Sequence, residues 1–170
     1  MRPRTLATRF ATFFKREYDA HRWPRAKSQN YTNRTWTEEM TKIIGRSSRR
    51  LGLVERRDEL KRVDFTYYRR SDPVPTVVIE HDNGWNVFEE EIPKLLASSA
   101  QLKVLICYPP KRSHYPFGNR LFNLLNAVGR TAATTEEFLL IMGLPNMLVH
   151  ESQDYTVYWY HPVYKVERIR

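Results

Sequence analysis

Cysteine is nearly missing from this 170-residue chain, and Cys107 alone cannot close an internal disulfide. The fold must therefore rest on packing, and a reducing compartment is the expected setting. Glycine is scarce too, at 6 residues with no triplet period, which excludes a fibrous protein. No apolar run approaches the ~20 residues of a membrane span, and no signal-peptide core precedes a small-residue cleavage site. Repeats and low-complexity tracts are absent. The expectation is a soluble, cytoplasmic protein with no membrane partner. Aromatics, by contrast, are plentiful: 4 Trp, 10 Tyr and 8 Phe argue against a disordered chain. The length fits a single domain, residues 1–170, that buries roughly 70% of its unfolded surface.

Charge is unevenly spread. The net charge is +9, but residues 1–70 carry 19 Lys/Arg against 8 Asp/Glu, while residues 71–170 are slightly acidic. A basic half attracts polyanions, and nucleic acid rewards clustered Arg and Lys through counterion release. Between Ala20 and Thr35 the chain is polar and broken, with cations and rings interleaved. Arg22, Trp23, Arg25, Lys27 and Arg34 there, with Arg46, Arg49 and Arg50 further on, are the candidate nucleic-acid contacts. A loop pinned to the core by Trp23 and Tyr31 is the bland alternative.

Hydrophobic spacing predicts a helix over residues 1–19, with Leu6, Phe10, Phe13, Phe14 and Tyr18 on one side. An Arg-rich start also suits an organellar transit peptide, but the aromatic stripe favours a docked helix. A second helix is predicted from about Trp36, capped by Thr37 and stopped at Gly52. Strands follow at Leu60–Arg69 and Thr76–Asp82, the second with Val77, Val78 and Ile79 in an unbroken apolar run. Then come a helix at Val87–Ser99, a strand at Leu102–Tyr108, a helix at Asn119–Val128, and strands at Phe138–Met142 and Tyr155–Tyr164. That order predicts an α/β fold, a three-layer sandwich with a central mixed sheet flanked by helices.

The chemistry concentrates in Val63-Asp64-Phe65 and in Val77-Val78-Ile79-Glu80-His81-Asp82-Asn83. Glu80 and Asp82 are two apart on a strand, so both project from one face. Two like charges at the end of a core strand repel and lose hydration unless a cation sits between them. If Asp64 opposes Glu80 or Asp82 in a hairpin, three carboxylates converge; a slip of one residue dissolves the site. Oxygen ligands of this kind suit Mg²⁺ better than zinc. His81 faces the other way and is expected to pack beneath the following helix. Glu89, Glu90 and Glu91 are expected to face solvent, with a second metal ligand as their less favoured use, and Cys107 to lie in the core. The ordinary reading of the acids is a turn at Asp82-Asn83-Gly84, Glu80 in an ion pair and Asp64 on a solvated face.

Asp64, a turn, then Glu80 and Asp82 ending an apolar strand resembles the catalytic hairpin of the PD-(D/E)XK nuclease superfamily. Glu91-Ile92-Pro93-Lys94-Leu95 and Lys103-Val104-Leu105-Ile106 match its following helix and strand, and Glu38 or Glu39 its preceding acidic helix. The resemblance spans residues 36–108, between a basic N-terminal helix and loop (1–35) and a C-terminal helix and strands (109–170) that complete the sheet. Val63 stands where many members have Pro, and Asp82 where the usual Lys would be.

The resemblance implies a restriction endonuclease-like fold and a Mg²⁺-dependent endonuclease, with Mn²⁺ as an alternative ion, hydrolysing phosphodiester bonds in DNA. Asp64, Glu80, Asp82 and Glu39 would be metal ligands, and Asp64, Glu80, Asp82 and Lys94 the catalytic set. Lys94 would be a relocated cation, with Lys103 a weaker candidate. A symmetric dimer would suit cutting both strands of a duplex. The rival reading is a non-catalytic nucleic-acid-binding protein that kept the fold after losing the motif lysine.

Overall fold

The computed structural model describes residues 5–22, 33–56, 63–82, 87–109, 113–129, 136–143, 156–161 and 165–169. Its elements are α1 (Leu6–Asp19), α2 (Asn33–Arg50), β1 (Val54–Glu55), β2 (Phe65–Tyr68), β3 (Val77–Asp82), α3 (Glu91–Ala97), β4 (Leu102–Cys107), α4 (His114–Gly129), β5 (Glu137–Met142), β6 (Thr156–His161) and β7 (Lys165–Ile169). All the strands join one mixed, open sheet in chain order, β1 to β7. The centre is parallel, β3 with β4 and β4 with β5. Antiparallel strands flank it, β1 and β2 on one side, β6 and β7 on the other.

Two separate apolar layers follow from the period of two along the central strands. Val77, Ile79, Leu102, Val104, Ile106, Leu139 and Ile141 face one way and pack under α1 and α2. Val78, Leu105, Cys107, Leu140 and Met142 face the other and pack under α3 and α4. The two crossovers β3–α3–β4 and β4–α4–β5 advance in one direction across the sheet, so crossovers of a single hand put both helices on the same face. The N-terminal helices cover the opposite face. Helices on both sides of an α/β sheet are what the alternation of elements predicted.

Local chemistry sets the helix ends. The Thr5 hydroxyl accepts from the Thr8 backbone N–H at 3.2 Å, capping α1. Its inward stripe is Ala7, Phe10, Ala11, Phe14 and Tyr18, close to the predicted one. Helix α2 starts at Asn33, not near Trp36, so Thr37 lies inside the helix and cannot cap it. Trp36 explains the extension: it is buried edge-on against Tyr108, 5.8 Å between ring centroids, and a helical turn before it carries the ring inward. At the other end Gly52, with φ of 75°, stops the helix as predicted. Its N–H reaches the Arg49 carbonyl at 2.9 Å and the Leu53 N–H reaches Ser48 at 3.2 Å, a Schellman closure.

Helix α4 begins at His114, ahead of the predicted Asn119. Pro116 sits in its first turn, where a missing N–H costs nothing. Helix α3 is shorter than predicted and starts at Glu91, after turns at 87–90. Among the described residues no helix is long and apolar enough to cross a membrane.

Candidate active site

The β2–β3 hairpin pairs Phe65 with Ile79 and Thr66 with Val78. Carried one residue further, that register sets Asp64 opposite Glu80, and opposed residues share a face. The His81 backbone N–H donates to Asp64 Oδ2 at 2.9 Å, which ties the aspartate to the end of β3. Glu80 is only 1% exposed, on the face that α3 covers. Helix α3 then delivers Glu91 and Lys94, one turn apart, with Lys94 Nζ at 2.8 and 3.1 Å from the two Glu91 oxygens. Asp64, Glu80, Glu91 and Lys94 therefore meet at the carboxyl end of the parallel strands.

Their electrostatics follow from the crowding. Burial pushes the Glu80 carboxyl far above its ordinary range, helped by its hydrogen bond with Glu91 and by the charges of Asp64 and Glu91, while Lys94 opposes the rise. The Asp64 carboxyl is raised by the protein packed around it, although hydrogen bonds with His81 and Glu80 work the other way. Lys94 holds its proton more firmly than a free lysine, first through the Glu91 hydrogen bond and, against its partial burial, through the charges of Glu80, Glu91 and Asp64. Glu80 Oε1 is buried without a hydrogen-bond partner. An orphaned oxygen on a buried carboxyl group costs free energy that a bound cation, taking the place of the proton, would offset.

Asp82 shares the Glu80 face but sits at the rim, half-buried, opposite Cys107 in the parallel register. The Cys107 thiol is pushed up by burial first and by the Asp82 charge second. The charges that bear most on Glu80 are those of Asp64, Glu91 and Lys94.

Glu39 is held apart from this group. It lies on α2, which packs on the opposite face, and its oxygens contact His21 Nε2 at 2.7 Å and Lys42 Nζ at 2.6 Å. Lys103 is buried and ion-paired with Glu136 at 2.6 Å, so it serves the fold. His81 does point away from Glu80, but it packs beneath α2 and not beneath the following helix. Its Nε2 lies 2.8 Å from the Tyr108 hydroxyl, and burial lowers its pKa to about 4, which keeps the ring neutral.

The basic candidates divide. Arg22 and Arg49 are exposed. Arg46 and Arg50 instead grip the buried Glu17 of α1, Arg46 Nε at 2.8 Å and Arg50 through its own Nε. Their charge is spent on joining α1 to α2. Trp23, Arg25 and Lys27 lie outside the described residues, as does the Arg34 side chain. Glu91 is the member of the group that the sequence reading turned outward. Its Glu-x-x-Lys spacing with Lys94 was the available signal, because residues three apart meet on a helix surface.

Among the described residues no three His, Cys, Asp or Glu side chains are arranged to hold a metal ion. Mg²⁺ commonly asks less of a protein, one or two carboxylates with waters and substrate phosphate completing its shell. Asp64, the orphaned Glu80 oxygen and the hard-oxygen character of both suit that demand. No protein-family model, curated protein or solved structure matches the chain.

Proposed function

We propose that the protein is a metal-dependent, endonuclease-like enzyme that hydrolyses phosphodiester bonds in DNA. One observation carries this reading: Asp64 and Glu80 face each other across a hairpin at the mouth of a buried sheet, with Lys94 beside them. The order α2, β2–β3 hairpin, α3, β4 agrees with the order implied by the PD-(D/E)XK resemblance and supports a restriction endonuclease-like assignment. Asp64 and Glu80 would hold Mg²⁺ or Mn²⁺, which when bound lowers the pKa of water and neutralises charge on the phosphoryl group. The Lys94 ammonium binds a non-bridging phosphate oxygen. Asp82, at the rim of the same face, accepts a hydrogen bond from the attacking water and orients it. Exposed cations such as Arg22 and Arg49 contact flanking phosphates, positioning the strand without reading its sequence.

The test is cleavage of plasmid and oligonucleotide DNA with Mg²⁺ or Mn²⁺. Asp64→Ala and Glu80→Ala are expected to lose about 100-fold or more in rate while retaining the wild-type circular dichroism spectrum. Cutting that survives both substitutions overturns the assignment. A second reading, a non-catalytic DNA-binding protein, is favoured by Asp82 in place of the motif lysine and by the lack of a three-ligand group among the described residues. It predicts salt-sensitive DNA binding with no metal-dependent cutting by the wild type.

A further inference from the structure

Among the described residues, Lys94 is the ammonium that meets the three carboxyl groups of this site, and it decides what the site does when no divalent ion is bound. Lys94 lies one helical turn from Glu91 and contacts both of its oxygens, at 2.8 and 3.1 Å. The Glu91 side chain is 12% exposed and that of Lys94 37%, so the pair sits at the outer lip of the acidic group and not in free solvent. Behind it lies Glu80, 1% exposed, with Oε1 buried and unpartnered. Lys94 already senses Asp64 and Glu80 as well as Glu91. A flexible four-carbon stem lets its ammonium move between these acids without moving the helix.

We propose that Glu91 and Lys94 form a built-in counter-ion latch: Lys94 is the resident cation of the Asp64–Glu80–Glu91 group, Glu91 parks it at the lip, and a divalent ion enters by displacing it. This inference rests on the metal-dependent reading above and assigns Glu91 a positioning role. Two consequences follow, one from repulsion between the ammonium and an incoming ion and one from its attraction to the carboxyl groups. Lys94 weakens metal binding, and it stabilises the metal-free fold. Glu91 limits the first effect, because an ammonium held at the lip competes less than one seated on Glu80.

The experiment is calorimetric titration of Mg²⁺ and of Ca²⁺ into the full chain, alongside metal-free thermal melting. Wild type, Lys94→Met, Lys94→Arg, Glu91→Gln and the double variant Glu91→Gln/Lys94→Met are compared. Lys94→Met is expected to bind the ion about tenfold more tightly, the scale of one unit charge near a divalent ion in wet surroundings. It is also expected to melt at a lower temperature than wild type without metal and to recover when metal is added. Lys94→Arg keeps wild-type values. Glu91→Gln binds more weakly, and that loss disappears when Lys94 is also methionine.

Equal or weaker binding by Lys94→Met overturns the latch and leaves the metal site standing. Binding by Lys94→Met but not by wild type supports the latch in its strongest form. Absence of binding in both removes the metal site and the latch together. If Lys94→Met does not fold, Glu91→Gln decides: binding at or above the wild-type affinity overturns the proposal. A Glu91→Gln loss undiminished in the double variant marks Glu91 as a direct ligand and overturns the latch.

Discussion

Glu17 is the residue on which the two N-terminal helices converge, and its chemistry sets a pH dependence for the fold. Burial alone would raise its carboxyl pKa, but hydrogen bonds from Arg50 and then Arg46, with their charges, bring it below the ordinary 4.5. A depressed carboxylate adds stability that is fully present above the unfolded value and is lost as pH falls through the folded one. Glu17→Gln is therefore expected to unfold at lower denaturant than wild type at pH 7, by about 1–3 kcal/mol for a pair whose arginines are partly solvated. The gap should close as the pH drops below 4.5, and denaturation curves across pH 3–8 check both statements. None of this is legible in the sequence. Arg46 and Arg50 read as phosphate contacts because composition places them in a basic run, while their partner is 29 and 33 residues away and is chosen by helix packing. Asp64 and Glu80 were legible as candidates, since hairpin geometry allows only two facings. The facing itself had to come from the strand register.

At the scale of elements, the continuous apolar strands were the most readable. Val77–Asp82, Leu102–Cys107 and Glu137–Met142 are buried along nearly their whole length, so little but strand chemistry could occupy them. Boundaries set by tertiary contacts were less readable: Trp36 pulls α2 forward to Asn33, and Pro116 hides the start of α4. Strand β7, Lys165-Val166-Glu167-Arg168-Ile169, carries charges at three of its five positions and exists through its pairing with β6. Gly52 offers a local test. A Cβ there meets nothing within 4 Å, so the cost of a side chain comes from the backbone conformation alone, φ of 75°. Gly52→Ala is expected to lower stability by about 1 kcal/mol, read as a shift of the urea midpoint at unchanged slope. Gly52→Asn, which tolerates that conformation better, should cost less.

For the whole molecule, the division of its basic residues predicts how binding and stability separate. DNA affinity is expected to fall linearly on a log–log salt plot, and Arg49→Ala should reduce the slope by about one if Arg49 meets one phosphate. Arg46→Ala should instead lower the melting temperature, because that guanidinium holds Glu17 and reaches His21 Nδ1 at 2.9 Å. Filter binding at several salt concentrations, with melting curves of both variants, separates the two roles. One contact has a further consequence for how the chain reaches this structure. The Ala7 N–H is held by Glu137 Oε2, 130 positions downstream, and α1 rests on β5 and β6. During synthesis α1 can settle on α2, which follows it in the chain, but its seat on the sheet is missing until β5 and β6 are made. Until those strands arrive, Phe10, Phe14 and Tyr18 are covered by α2 alone and lack the sheet beneath them, so the incomplete chain is expected to be prone to aggregation and to gain from a chaperone.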